Sequence, residues 1–66
     1  MKLTKTRRTV LHMILDGERG GRLTGSLKRA LAELKAARYV RTVWDDENNP
    51  WLVVTRAGLK ALGDYK

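Results

Sequence analysis

The residues best suited to chemistry in this chain are cations and hydroxyls spaced along one central segment. They alternate with apolar residues and are Arg22, Thr24, Ser26, Lys28, Arg29 and Lys35. Guanidinium and ammonium groups bind phosphate oxygens, and backbone N–H groups at a helix start, beside small hydroxyl side chains, suit the same ligand. These residue types predict the binding of an anion, and in particular of a phosphate-rich polymer.

The composition agrees with an anionic partner. Fourteen Lys and Arg against seven Asp and Glu give the 66 residues a formal net charge of +7. Such a surplus favours association with polyanions without specifying a fold. A second basic group lies near the start of the chain, at Lys5, Arg7 and Arg8. Cations near a helix N-terminus oppose the helix dipole, so an external phosphate at Lys5 and Arg8 would relieve that conflict.

Catalysis and metal binding are not expected. The chain has no cysteine and a single histidine, His12, which has no nearby carboxylate or nucleophile to work with. It also has no glycine-rich phosphate loop, and its length leaves little volume for a substrate cavity. We therefore predict a protein that is not an enzyme and needs no cofactor or metal.

Two amphipathic helices are predicted in the first half of the chain. One covers residues 3–17, with Thr4 capping its start and Gly17 ending it. The other covers residues 23–37 and is predicted to be capped by Thr24. Its apolar residues recur at helical spacing, and its alanine, leucine, lysine and glutamate residues all favour helix.

A β-hairpin is predicted in the second half, where the hydrophobic period changes from 3.6 to 2. Residues 39–44 and 51–55 are rich in aromatic and β-branched side chains. Alternation places Val40, Thr42 and Trp44 on one face of the first strand.

The remaining segments are a short loop and a short helix. Residues 18–22 are glycine-rich and predict a loop or a single turn. Residues 56–62 predict a terminal helix, capped by Thr55 and ended by Gly63. At this length the chain forms one domain, 1–66, of the α+β class: helix, short loop or turn, helix, β-hairpin and short C-terminal helix.

Two stretches carry a resemblance to a known family. LTGSLKRALAELKAARYV, residues 23–40, followed by WLVVTRAGLKAL, residues 51–62, resembles the recognition helix, wing and following helix of winged helix-turn-helix DNA-binding proteins, especially MarR-like repressors. Residues 3–15 look like the first helix of that family. The chain departs from the family pattern in three places. The helix before the recognition helix is compressed into a glycine-rich loop, Arg38 replaces the usual glycine before the wing, and the wing tip is acidic.

The resemblance implies double-stranded DNA as the partner. A helix that enters the major groove needs long donors on its outer face, near its N-terminal half. Arg29 could donate a bidentate pair to guanine, whereas Lys28 is better suited to a phosphate. Arg22 and Lys35 would contact the DNA backbone. The open alternative is that these cations form an ordinary solvated helix face.

The family further implies a transcriptional regulator or an architectural factor that acts by occupying its site. Because so small a domain makes few base contacts alone, we expect a homodimer, with Leu59, Leu62 and Tyr65 of the terminal region as its candidate contact. No apolar run approaches the length needed to span a bilayer, and the basic N-terminus lacks the apolar stretch of a secretory signal. We therefore expect a cytoplasmic protein that does not associate with a membrane.

The stretch WDDENNPW, residues 44–51, holds three of the seven acidic residues. Asp, Asn and Pro favour turns, so a hydrated hairpin loop is the simplest interpretation. An acidic tip would also be repelled by DNA phosphates, which would leave the recognition helix to make the contact. A calcium-binding loop, which acidic residues at this spacing would otherwise suggest, is not expected here. Pro50 occupies the position where such a loop needs glycine.

The same acidic stretch supports a rival hypothesis, a winged-helix module that binds another protein. Small virus-encoded or plasmid-encoded regulators of this kind would bind a host protein through the wing. Its contact residues would be Trp44, Asp45, Asp46, Glu47 and Trp51. The two tryptophans could instead pack across the strands over the core.

Overall fold

A computed structural model describes residues 2–63 and has three helices and one hairpin. The elements are α1 (Lys5–Leu15), α2 (Ser26–Ala36), β1 (Val40–Trp44), β2 (Pro50–Val54) and α3 (Arg56–Leu62). This order confirms the predicted α+β class and is compatible with a small winged-helix-like layout. Within residues 2–63, no helix is long and apolar enough to cross a bilayer.

Helix α1 is shorter than the predicted segment 3–17, but Thr4 caps its start and Gly17 follows its end, as predicted. The Thr4 hydroxyl accepts the backbone N–H of Arg7 at 3.3 Å, as an N-cap does. At the other end, Gly17 adopts a left-handed φ of +105° and donates its N–H to the Ile14 carbonyl at 3.0 Å. A residue with a Cβ is strained there, which explains why glycine ends the helix.

Helix α2 begins later than predicted, and the predicted Thr24 cap is wrong. Gly25 occupies the cap position with φ 56° and ψ −125°, and no side chain caps the helix. The Thr24 carbonyl instead accepts the N–H of Leu27 at 3.1 Å. A capping hydroxyl must belong to the residue next to the first helical turn, and the turn at Gly25 places Thr24 one residue too early.

The end of α2 contains a strained residue. The N–H of Tyr39 reaches the Leu34 carbonyl at 2.9 Å, and that of Arg38 reaches the Lys35 carbonyl at 3.0 Å. This pair of bonds is a Schellman motif, whose left-handed residue is usually glycine. Here that residue is Arg38, with φ +66°. The departure from the winged-helix pattern therefore falls on the position where glycine is conformationally preferred.

Replacing Arg38 with glycine is expected to stabilise the fold. A left-handed conformation costs a residue with a Cβ roughly 1–2 kcal/mol, part of which the flexibility of an unfolded glycine offsets. We expect Arg38→Gly to be more stable than Arg38→Ala by about 1 kcal/mol in urea denaturation. The alanine variant is the matched control, because it also removes the charge but keeps the Cβ. Equal stabilities would contradict the left-handed assignment.

The hairpin register puts the two tryptophans on opposite faces. Val40 pairs with Val54 and Trp44 with Pro50, whereas Trp51 pairs with Val43 on the other face. This confirms the predicted face of β1, but packing of both tryptophans over the core is wrong. Trp44 is 62% exposed and Trp51 37%. The hairpin face that contains Val40 and Trp44 is buried towards the Val40 end, so Trp44 at the other end is exposed to solvent.

Buried side chains from the three helices, the loop before α2 and the hairpin form one core. They are Val10, Leu11, Ile14, Leu23, Ala30, Leu34, Val40, Leu52 and Leu62. Leu62 is only 5% exposed, so it is not available for the predicted dimer contact, and Tyr65 lies outside the described residues. Leu59 is half-buried on α3, so the predicted dimer contact stays a prediction in which Leu62 takes no part.

Thr55 joins the β1–β2 hairpin, which we call the wing, to both neighbouring helices. Its hydroxyl donates to the Arg38 carbonyl at 2.8 Å and accepts the N–H of Gly58 at 3.2 Å, which confirms the predicted cap of α3. Its N–H donates to the Tyr39 carbonyl at 2.9 Å. These bonds fix the wing base against the end of α2 and the start of α3.

Candidate nucleic-acid interface

Helix α2 carries its cations on the side away from the core. Ala30 and Leu34 are buried, while Lys28, Ala32 and Lys35 are exposed. The spacing i, i+4, i+7 places the last three in one row along the helix. Because the alanine between the two lysines has a small side chain, a ligand could approach the helix closely at the centre of this row.

Arg29 lies beside that row and has no acidic partner. Glu33, one turn further along, is bound instead to Arg7, whose Nε and Nη2 lie 3.2 Å from Glu33 Oε1. Arg29 makes no salt bridge with any acid of residues 2–63. We call Lys28, Arg29 and Lys35 the basic α2 face. Its charges are available to an external anion.

The start of α2 leaves backbone donors open. Thr24 and Ser26 are exposed, and the first turn contains no acidic residue. Among the described residues, the N–H groups of Ser26 and Lys28 have no acceptor. Thr24 does not cap the helix, but its exposed hydroxyl still lies beside these open donors.

Arg22 lies in the loop before α2, whose shape is set by one carboxylate. Glu18 accepts the N–H groups of Gly20 at 2.8 Å and Arg22 at 3.1 Å. The bond from Arg22, followed by that from Gly20, lowers the pKa of Glu18 below its ordinary value. The Arg19 guanidinium lies 3.4 Å from the centre of the Trp51 ring, a cation–π contact that holds the loop against the wing.

Lys5 and Arg8 belong to a different surface. With Thr9, His12, Met13 and Asp16 they line a groove of about 390 Å³ along α1. Arg8 also donates from Nη1 to the Leu62 carbonyl at 3.2 Å, where it binds the end of α3. The eight predicted site residues therefore divide into a six-residue group at α2 and a pair on α1, and Arg8 has a structural contact of its own.

A second cluster of cations was not predicted from the sequence. Lys35, Arg38 and Arg41 line a groove of about 480 Å³, together with Val40, Thr42 and Thr55. We call it the wing-base groove. Arg38 and Arg41 are exposed and form no salt bridge with a described acid. The sequence signal was the basic pair flanking the start of β1, which becomes a cluster only because the end of α2 brings Lys35 beside it.

The acidic tip owes its shape to Asp45. Its Oδ1 accepts the N–H groups of Glu47 and Asn49, both at 2.9 Å, and its Oδ2 lies 3.4 Å from Trp51 Nε1. These bonds, the one from Asn49 first, lower the pKa of Asp45. The turn interpretation of the stretch is confirmed. The side chains of Asp46 and Glu47 are exposed and have no such bonds within the described chain.

The tip should lose its order in acid through Asp45. A lowered folded-state pKa means that the carboxylate stabilises the turn above about pH 4 and that this contribution is lost as the pH falls through the folded pKa. We expect the amide NMR signals of Glu47 and Asn49 to move in that acid range. In Asp45→Ala they should be displaced already at pH 7, whereas Asp46→Ala should retain the wild-type positions. An Asp45→Ala tip with wild-type signals at pH 7 would contradict this account.

Two charge environments therefore lie on one small domain. The basic α2 face and the wing-base groove present cations that form no ion pair with an acid of residues 2–63, and the far end of the hairpin presents Asp46 and Glu47. No group of three His, Cys, Asp or Glu among residues 2–63 could hold a metal ion. Comparisons of the chain with protein-family models, with curated proteins and with solved structures found no match.

Proposed function

We propose that this protein binds double-stranded DNA through the basic α2 face and acts by occupying its site, as a transcriptional regulator or an architectural factor. The observation that carries the proposal is the exposure of Lys28, Arg29 and Lys35 on one helix with no acidic partner among residues 2–63. Unpaired cations on a protein of charge +7 favour a polyanion.

The dimensions of α2 suit the major groove. Its 11 residues extend about 16 Å, and an α-helix with its side chains is about as wide as the groove of B-DNA. Arg29 is assigned a base edge, because its planar fork matches guanine. Lys28, Lys35 and Arg22 are assigned phosphates. The open N–H groups at the helix start supply further donors to a phosphate.

The acidic tip sets the orientation of this complex. Asp46 and Glu47 would be repelled by a phosphate backbone, so the tip points away from the DNA. Binding by α2 alone gives few base contacts, and the resulting affinity depends strongly on phosphate neutralisation.

A titration against duplex and single-stranded DNA at two salt concentrations tests the proposal. We expect the duplex to bind more tightly than the single strand. We also expect its affinity to fall steeply with salt, since each neutralised phosphate releases about one counterion. Affinity that is independent of salt, or a preference for the single strand, would overturn the proposal.

One observation favours a second candidate, a protein-interaction module that acts through the wing. Trp44 is 62% exposed and stands next to the acidic turn, and exposed tryptophans are common anchors of protein interfaces. If this is the function, Trp44→Ala abolishes capture of a host protein from nuclease-treated extract while Lys28→Ala has no effect. The reverse pattern, or loss of capture after nuclease treatment, would support DNA.

A further inference from the structure

The wing-base groove combines an apolar floor with a cationic rim. Val40, Thr42 and Thr55 line it alongside Lys35, Arg38 and Arg41, and no acid of residues 2–63 lines it. Its volume of about 480 Å³ lies within the roughly 300–1,000 Å³ typical of ligand sites. Such a lining fits an occupant that is both apolar and negatively charged.

Arg38 gives an independent reason to assign a role to this groove. It keeps a left-handed backbone, φ +66°, at a helix end where glycine would relieve the strain. Strain of this kind clusters at functional sites. The side chain that glycine would remove is one of the three cations of the rim.

The opposite end of the same hairpin has the complementary character. Trp44 is 62% exposed and pairs with exposed Pro50 on one face of the ribbon. Asp46 and Glu47 follow directly, and their carboxylates have no partner among residues 2–63, while Asp45 holds the turn. This wing tip, residues 44–50, therefore presents an indole and two negative charges on a preformed loop.

We propose that the wing tip of one copy of the chain binds in the wing-base groove of a second copy. Trp44 would cover the apolar floor, and Asp46 and Glu47 would meet the rim cations Arg38 and Arg41. A second copy is the occupant proposed, because its own wing tip has the negative charges that match the cationic rim of the groove. The inference does not depend on DNA binding.

Tip and groove lie close enough together for a reciprocal exchange. Arg41 and Trp44 are three residues apart in β1, or about 10 Å along the strand. A twofold axis passing beside the middle of β1 would bring each tip over the other copy's groove. The contact would then occur twice in a closed dimer, as isologous interfaces require. Leu62 is buried and cannot contribute to the α3 contact expected from the sequence, whereas the tip and the groove form a contact that does not need it.

The association should be weak and sensitive to charge. Two molecules of charge +7 repel each other, so the local match between tip and groove must overcome an unfavourable net interaction. We also expect a contact confined to one hairpin end and one groove to bury less than the roughly 800 Å² per partner of a standard interface. Sedimentation equilibrium from about 10 μM to about 1 mM protein, without DNA, covers the range expected for such an interface.

Charge reversal on each side tests the contact. We expect the tip variant Asp46→Lys/Glu47→Lys and the groove variant Arg38→Glu/Arg41→Glu each to raise the dimer dissociation constant at least about tenfold. An equimolar mixture of the two should dimerise again, because each hetero pair contains one wild-type contact and one with both charges reversed. Lys60→Ala, on α3, should associate like the wild type.

The mixture distinguishes this contact from general charge effects and from misfolding. Recovery of dimers requires both variants to be folded and their reversed surfaces to meet, which circular dichroism of each variant checks separately. A wild-type protein that is monomeric at 1 mM would overturn the proposal, as would variants that associate like the wild type. Two folded variants that stay monomeric when mixed would also overturn it. Because the assay contains no DNA, none of these results bears on the proposed DNA binding.

Discussion

Gly58→Ala is expected to destabilise the domain by about 2 kcal/mol, although alanine favours helix over glycine by about 1 kcal/mol. A Cβ at Gly58 would lie 2.5 Å from the Tyr39 carbonyl oxygen and 2.7 Å from Val54 Cγ1. The Tyr39 carbonyl is held by the N–H of Thr55, so the backbone has little freedom to retreat. Helix α3 would have to lift from the wing, and urea denaturation would register the loss as a lower midpoint.

Gly21→Ala is the matched control for this substitution. Gly21 has an ordinary φ, and a Cβ there meets nothing within 4 Å, so stability should change by no more than about 0.5 kcal/mol. If Gly58→Ala were as stable as the wild type, or more stable, helix propensity would outweigh the close approach, and α3 could not be packed as described. Thr55 and Gly58 therefore have distinct physical roles: the Thr55 hydroxyl caps α3, and the missing side chain of Gly58 lets α3 approach the end of α2.

Arg29→Ala is expected to weaken binding to a preferred duplex about tenfold and to relax the preference at one base pair. A good Arg–guanine pair contributes roughly 1–3 kcal/mol of discrimination, and tenfold corresponds to about 1.4 kcal/mol. Lys28→Ala should weaken all duplexes alike and should reduce the dependence of affinity on salt by about one counterion. Competition assays with single-base substitutions separate these two effects.

Lys60→Ala is the control for charge alone. Lys60 is exposed on α3, so the substitution removes one positive charge without touching the basic α2 face. Its affinity and salt dependence should stay close to those of the wild type. If Lys60→Ala and Lys28→Ala had equal effects, binding would follow net charge and not the α2 surface. An Arg29→Ala variant with unchanged sequence preference would remove the assigned base contact.

The elements of the fold could be predicted where local chemistry determines them. Thr4 and Thr55 cap helices because each precedes a helical turn directly, and Gly17 ends α1 because it tolerates a positive φ. Thr24 failed as a cap because the turn at Gly25 depends on how the glycine-rich loop enters α2. Local patterns contain no information about that path.

At the candidate site, too, the sequence predicted only the features that local patterns determine. Helical spacing was enough to place Lys28 and Lys35 on one exposed row, whereas the separation of Lys5 and Arg8 depends on how α1 packs. The wing-base groove was not predicted, because Lys35 and Arg41 come to line one groove only through the turn at Arg38, which places the end of α2 beside the start of β1. The exposure of Trp44 likewise depends on where the core stops along the ribbon, which strand alternation does not reveal.

Backbone amide NMR during a duplex DNA titration tests the central claim most directly, with the protein dilute enough to be monomeric when free. The account predicts that the largest shift changes occur at residues 22–36, in the loop before α2 and along the helix, and that residues 45–49 at the acidic tip change little. Changes concentrated at the tip, with α2 unaffected, would contradict the assignment of α2 as the DNA-binding element.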